Sequence, residues 1–129
     1  MKPDLKPGAT DEQTITTTKE MGIVHLGPAA PSMYSTPAMV SLIEATCLRL
    51  LTRYLEPGEQ TVGFHVDVRH LAPTPIGKQV TAKVSLAEIN GRRFKFDVEV
   101  VNEDGVKIGE GLHERALIDI SRFAAGAQS

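Results

Sequence analysis

The chain has 129 residues, a formal net charge of −2 at pH 7 and hydrophobic residues at 41% of its positions. This length is enough for one hydrophobic core but not for two, so we expect a single domain over residues 1–129. The small negative charge gives no electrostatic basis for binding nucleic acid or an anionic membrane, and no apolar run approaches the roughly 18 residues of a membrane span.

The N-terminal part of the chain predicts one strand followed by a loop. Residues 1–9, like residues 124–129 at the other end, look like loose ends. The Thr-rich segment that follows predicts a first strand over Gln13–Lys19. The glycine and prolines of "GPAAP" forbid regular structure, so we expect a loop over Gly27–Ser35.

A long helix should follow this loop and end at about Tyr54, before "EPGE". Thr36 is a good N-cap residue, and Pro37 suits the first helical position, where no intrahelical N–H bond is lost. Apolar side chains lie nearly all round the helix, so other elements have to surround it. The helix also holds the single cysteine, Cys47, which cannot form an internal disulfide and favours a reducing cytoplasm.

After the helix, the spacing of apolar residues changes from a period of 3.6 to a period of 2. Four strands are predicted, the last over Val106–Ile120, and they are separated by "LAPTPIG", "NG" and "NEDG". Strands that follow one another through such connections pair antiparallel. An antiparallel sheet of five or six strands wrapped around one long central helix is the α+β hot-dog fold, which we therefore predict.

Glu44 is an unexpected charge on this helix. On a helical wheel it falls in the middle of the apolar stripe, while Arg49 and Arg53 lie on the far side and cannot pair with it. A buried carboxylate without partners is costly, so Glu44 needs polar neighbours or a water-filled cavity. It is either a functional group or a side chain that reaches an opening at the sheet edge or a dimer contact.

His70 is a second polar residue that should point inward. It continues the alternating face predicted for its strand, which consists of Val62, Phe64, Val66 and Val68. His65 lies one register off and should point outward. A lone inward histidine is more often a hydrogen-bonded core residue than a catalyst, but this one faces the helix that carries Glu44.

Thr36 and Gly63 complete the set of candidates. Thr36 lies two turns before Glu44, and its hydroxyl could cap the helix, bind a substrate oxygen or water, or do both. Gly63 marks either a β-bulge or a place where a ligand approaches the backbone N–H closely. The histidines and the single cysteine do not make a metal-ligand spacing, so we expect no metal and no cofactor.

Several motifs resemble the fluoroacetyl-CoA thioesterases and their relatives, which are hot-dog-fold acyl-CoA hydrolases. "YLEPGE", "HLAPTPIG", "INGRR", "IGEGLHERALI" and "SRF" occur in the same order and at similar spacing, and the resemblance covers Ser35 to Phe123. The catalytic Thr, Glu and His of that family fall on Thr36, Glu44 and His70. Its glycine near the thioester carbonyl falls on Gly63, and the arginine of its "HER" motif falls on Arg115.

This resemblance implies hydrolysis of a small acyl-CoA by a homodimer, which could pair again into a tetramer, with sites near the subunit interface. Glu44 would act as nucleophile or as base on a water. His70 would polarise the acyl group and assist proton transfer, while Thr36 would hold the carboxylate or the water. The Gly63 N–H would stabilise the oxyanion. CoA would enter only as part of the substrate.

The loop before the helix departs from the family pattern. The fluoroacetyl-specific enzyme carries phenylalanines there that form a lid, whereas this chain has "GPAAPSMYS", in which Met33 and Tyr34 could cover the pocket differently. We therefore expect a general short-chain acyl-CoA thioesterase. Two alternatives stay open: a hot-dog hydratase or dehydratase, which would release no free thiol, and a module that binds acyl-CoA or another apolar ligand without turnover.

Overall fold

A computed structural model describes residues 1–128, which form five strands and two α-helices with one short 3₁₀ turn. The strands are β1 Thr10–Thr16, β2 Glu59–His70, β3 Gln79–Asn90, β4 Arg93–Asn102 and β5 Lys107–Asp119. The helices are α1 Thr36–Thr52 and α2 Ile120–Gln128, and the 3₁₀ turn is Lys19–Met21. All pairings are antiparallel, and the strand order in the sheet is β1-β3-β4-β5-β2.

The sheet curves around α1 and buries most of its apolar side chains. The residues of α1 that become buried are Met39, Leu42, Ile43, Thr46, Cys47, Leu50 and Leu51. Alternate side chains of β3 and β4 face them, because successive residues of a strand point to opposite sides of the sheet. This arrangement is the hot-dog fold, so the predicted fold class is confirmed.

One face of α1 stays partly open, contrary to the expectation of a fully surrounded helix. Val40, Glu44 and Leu48 follow one another at intervals of four residues, and all three are only half-buried. The opposite side of the helix is tied to β1, where Asp11 accepts hydrogen bonds of 2.9 Å from Arg49 and Arg53. The two arginines therefore lie away from Glu44, as the helical wheel predicts.

The predicted inward face of β2 is wrong in its first half, because the strand contains a bulge. Gly63 pairs with Arg115 and His65 pairs with Glu114, so the register shifts between Gly63 and His65. The extra residue, Phe64, is 45% exposed, and the Arg93 guanidinium lies 4.9 Å above its ring. Thr61 and Gly63 therefore lie on the inward face of the strand, while the outward direction predicted for His65 is observed.

The second half of β2 keeps the predicted direction, which brings His70 to the inner face opposite Gly109.

The first strand, β1, lies three residues earlier than the predicted Gln13–Lys19, and Lys19 belongs to the 3₁₀ turn instead.

Residues at both chain ends take part in the fold. In the segment 1–9, expected to be loose, Leu5 is buried in the core and the Lys2 N–H donates to the Tyr54 carbonyl at 2.7 Å. Residues 120–128 continue β5 as the helix α2, where a loose tail over 124–129 was expected. Ser129 lies outside the described residues.

Candidate active site

The start of α1 brings Thr36 and His70 together. Ser35 is the N-cap residue, and its side chain accepts a hydrogen bond from the Ala38 N–H at 3.2 Å. Thr36, the predicted cap, is instead the first helical residue. Its hydroxyl is hydrogen-bonded to His70 Nδ1 at 2.8 Å. The Thr36 hydroxyl is thus available to bind His70, because Ser35 rather than Thr36 caps the start of the helix.

His70 keeps its second ring nitrogen free for another group. His70 Nε2 and Tyr34 Oη are the two buried side-chain polar atoms of residues 1–128 that have no hydrogen-bond partner. The Tyr34 ring meets the His70 ring edge-on, with centroids 6.5 Å apart and planes at 78°. Burial lowers the pKa of His70 below its usual value, which favours the neutral imidazole.

Tyr34 is buried in the fold, whereas the neighbouring Met33 lies nearer the surface. Tyr34 is buried, its N–H donates to the Thr74 carbonyl at 2.8 Å, and burial raises the pKa of its hydroxyl to about 12. Met33 is half-buried and forms an isolated bridge with Pro75. Tyr34 therefore lies beside His70 inside the fold, and only Met33 reaches toward the surface, where a cover would be.

Glu44 lies further along the helix in a second cluster. Its side chain is 41% exposed, and its Oε2 is 3.8 Å from an Nη atom of the buried Arg115. A methyl group added at Gly63 would come within 2.8 Å of the same Oε2 and within 2.9 Å of the His113 ring. Gly63 therefore leaves the space in which the Glu44 carboxylate lies, because any side chain there would displace it.

Arg115 is held by neutral acceptors rather than by a close ion pair. Its Nε donates to Thr61 Oγ1 at 3.0 Å, one Nη donates to the Thr61 carbonyl at 2.9 Å, and the other lies 3.2 Å from His113 Nε2. Arg115 is the counter-charge that the wheel analysis of Glu44 did not supply. His113 is a residue of this cluster that the sequence did not predict. The "HER" spacing is the signal that could have found it, since residues two apart on a strand share one face.

The two clusters lie apart within one chain. Thr36 and Glu44 are eight residues apart on α1, which corresponds to about 12 Å along the helix axis. One chain therefore carries the pair Thr36–His70 at one place and Glu44 with Gly63 and Arg115 at another.

In residues 1–128, no three His, Cys, Asp or Glu side chains lie close enough together to hold a metal ion. Within the same range, neither helix has the length and apolar character needed to cross a bilayer.

Comparison with known proteins identifies the family of this chain. Residues 10–121 match the family described as fluoroacetyl-CoA-specific thioesterase. This chain belongs to that family. A fluoroacetyl-CoA thioesterase of Streptantibioticus cattleyicolor is 36% identical to it over 132 residues, covering 97% of this chain and 94% of the relative. The predicted class of enzyme, a thioester hydrolase of hot-dog fold, is confirmed by this membership.

Solved structures of this thioesterase family superpose on nearly the whole chain. A fluoroacetyl-CoA thioesterase has a TM-score of 0.87 at 32% identity, covering 96% of both chains, and a mutant of that enzyme has been solved in complex with acetyl-CoA. A Thermus thermophilus protein described as a thioesterase superfamily member gives a TM-score of 0.89 at 29% identity, with 98% of this chain and 93% of the other covered.

Proposed function

We propose that this thioesterase acts as a homodimer that hydrolyses short-chain acyl-CoA thioesters, with Thr36, Glu44 and His70 as its catalytic groups. The observation that carries the proposal is the split placement of these residues. Thr36, which is hydrogen-bonded to His70, lies eight residues from Glu44, or about 12 Å along the axis of α1, a wide separation for groups that act on one carbonyl carbon. A second copy of the chain would supply the missing half of each site.

The open edge of the sheet supports a dimer of this kind. β2 is an edge strand of twelve residues, and its middle exposes Phe64 and Val66, which is 39% exposed. A long apolar edge with unpaired N–H and C=O groups is a natural surface for pairing with another strand. Antiparallel pairing of two β2 strands about a two-fold axis would extend the sheet across both copies.

The same two-fold axis would complete the site. An axis near the middle of β2 turns the end of one strand, which carries His70, toward the start of the other, which carries Gly63. Glu44 lies beside Gly63, so the carboxylate of the partner subunit would approach the His70 of the first. The half-open face of α1 at Val40, Glu44 and Leu48 would be covered at the same time.

The chemistry follows from the residue types. As a nucleophile, Glu44 attacks the thioester carbonyl and the C–S bond breaks, which leaves a mixed anhydride that a water then hydrolyses. As a base, Glu44 instead removes a proton from a water that attacks the carbonyl directly. Either route consumes one water and gives a carboxylic acid and the free thiol of CoA. His70, neutral and with Nε2 unpartnered, polarises the acyl group and transfers the proton to the thiolate. The Gly63 N–H stabilises the oxyanion, and Thr36 fixes the His70 ring through its hydroxyl.

The loop before α1 supports a broad short-chain specificity. It contains no phenylalanine, and the exposed apolar side chains just before it, Val24 at 85% exposure and Leu26, are aliphatic. Such a loop lacks the aromatic surface that would select one small acyl group. CoA enters as part of the substrate, and the proposed reaction draws on no further cofactor. A reducing cytoplasm stays a prediction from the single Cys47.

Thiol release from a panel of acyl-CoA thioesters, acetyl through hexanoyl with fluoroacetyl and phenylacetyl, tests the proposal. Wild-type protein should turn over several short members, while Glu44→Gln and His70→Ala should each lose activity. Glu88→Gln, an exposed glutamate in β3, is the matched control and should stay active. Saturable acyl-CoA binding without thiol release would favour a binding module, and consumption of enoyl-CoA without thiol release would favour a hydratase.

A further inference from the structure

His113 is a fully buried histidine whose two ring nitrogens both have partners. Nδ1 lies 2.8 Å from the carbonyl oxygen of His65, and Nε2 lies 3.2 Å from an Nη atom of Arg115. A carbonyl only accepts, so Nδ1 has to carry the proton. A guanidinium only donates, so Nε2 has to be the acceptor. Both bonds form together only in the neutral Nδ1–H tautomer of His113.

This tautomer determines where the charge of Arg115 points. Thr61 accepts from two of the guanidinium nitrogens, which fixes one side of the group. His113 Nε2 is the acceptor on the remaining side, and the Nη that it binds is the one that lies 3.8 Å from Glu44 Oε2. Without that acceptor, the Nη next to Glu44 would have no neutral partner in a buried site.

The surroundings of His113 oppose its protonation. The charged or titratable groups that face this cluster are Arg115 on its own strand, Glu44 and the Cys47 thiol on α1, and His65 on β2. The opposing residue of β4 is the apolar Phe96. Burial, followed by the positive charge of Arg115, lowers the pKa of His113, and this outweighs the effects of the His65 carbonyl and of Glu44. Protonation would place two cations side by side.

We infer that His113 is a positioning residue for the thioesterase reaction: its neutral ring orients the Arg115 guanidinium, which in turn holds the Glu44 carboxylate in place beside Gly63. This inference rests on the proposed function of Glu44. It also ties the site to the β-bulge, because the same ring holds the His65 carbonyl that follows the register shift.

Two amide variants separate the two bonds of the ring. In His113→Gln the side-chain oxygen can reach the position of Nε2 and accept from Arg115, whereas in His113→Asn the amide nitrogen replaces Nδ1 and only the bond to the His65 carbonyl is kept. We expect His113→Gln to retain kcat within about three-fold and His113→Asn to lose about ten-fold in kcat, with little change in KM. Equal losses in both variants would mean a purely structural role and would overturn the inference.

A spectroscopic measurement keeps the inference testable apart from activity. In ¹⁵N-labelled wild-type protein, the His113 ring should give the signals of the Nδ1–H tautomer from pH 6 to 8, and the Arg115 Nε–H should be protected from exchange. An imidazolium or an Nε2–H tautomer at pH 7 would overturn the inference. If the wild type hydrolyses no thioester, the proposed function fails, while these signals still decide whether the neutral His113 ring orients Arg115. If His113→Asn does not fold, a loss of more than about ten-fold in the kcat of His113→Gln would likewise contradict the positioning role of His113.

Discussion

Substitution of Gly63 by alanine tests how closely the Glu44 carboxylate is positioned. The new methyl group would lie 2.8 Å from Glu44 Oε2 and 2.9 Å from His113 Cε1, whereas ordinary contact begins at 3.4 Å. Glu44, as the end of a flexible side chain, would give way by about 0.6 Å. A misplacement of 1 Å can cost about 100-fold in rate, so we expect kcat to fall about ten-fold while KM changes little.

The assay is thiol release under saturating acyl-CoA, with thermal unfolding measured on the same samples. Gly126→Ala is the control, because a methyl group there meets nothing within 4 Å and α2 lies outside the site. Alanine keeps the Gly63 N–H, so the change tests the position of Glu44, displaced directly or through the His113 ring, and not the oxyanion contact. A Gly63→Ala protein that folds and keeps kcat within two-fold of the wild type would refute the reasoning.

Three further predictions follow from the site and the sheet edge. Thr36→Val removes the 2.8 Å hydrogen bond to His70 and should lower kcat about ten-fold, whereas Thr36→Ser should keep most of the activity; equal rates in thiol-release assays would contradict this role. Burial lowers the pKa values of His70 and His113 in the folded protein, whereas both histidines have a pKa of about 6.5 in the unfolded chain. The unfolded chain therefore binds more protons below about pH 6.5, so the contribution of these two residues to stability should fall as the pH drops below that value and stay flat above it. The melting temperature measured from pH 5 to 8 should depend less on pH in the His70→Ala, His113→Gln double variant, and an unchanged slope would contradict this. Val66→Lys places a charge on the exposed edge of β2 and should give an inactive monomer by light scattering and thiol release, whereas an active dimer would argue against pairing through this edge.

The periodicity of the sequence was sufficient to predict the fold. The change from a helical to an alternating pattern after residue 55 correctly separates α1 from the sheet, because each period reflects which side chains face the core. The start of α1 was less accurately predicted, since the neighbouring polar residues Ser35 and Thr36 can both cap a helix. Only the structure shows that Ser35 takes this role and leaves Thr36 to bind His70.

The site itself depends on contacts that no local pattern contains. Gly63 indicated a β-bulge as one of two alternatives, and the structure shows a bulge there, but the alternating pattern alone predicted Phe64 inside and Gly63 outside. A helical wheel compares α1 only with itself, and it therefore could not find Arg115, which comes from β5. The half-exposure of Glu44 has the same origin, because the wheel does not show which part of the helix the sheet leaves uncovered.

Mixing two inactive variants tests the central claim, that each site combines residues of two chains. Glu44→Gln and His70→Ala proteins, each inactive as a homodimer, are co-expressed with different affinity tags, and the doubly tagged heterodimer is isolated. If Glu44 acts with the His70 of the partner subunit, one of the two sites contains both native residues, and the heterodimer should show about half of the wild-type rate of thiol release. If Glu44 and His70 act within one chain, every site carries one substitution, and a stable heterodimer without activity would contradict the account.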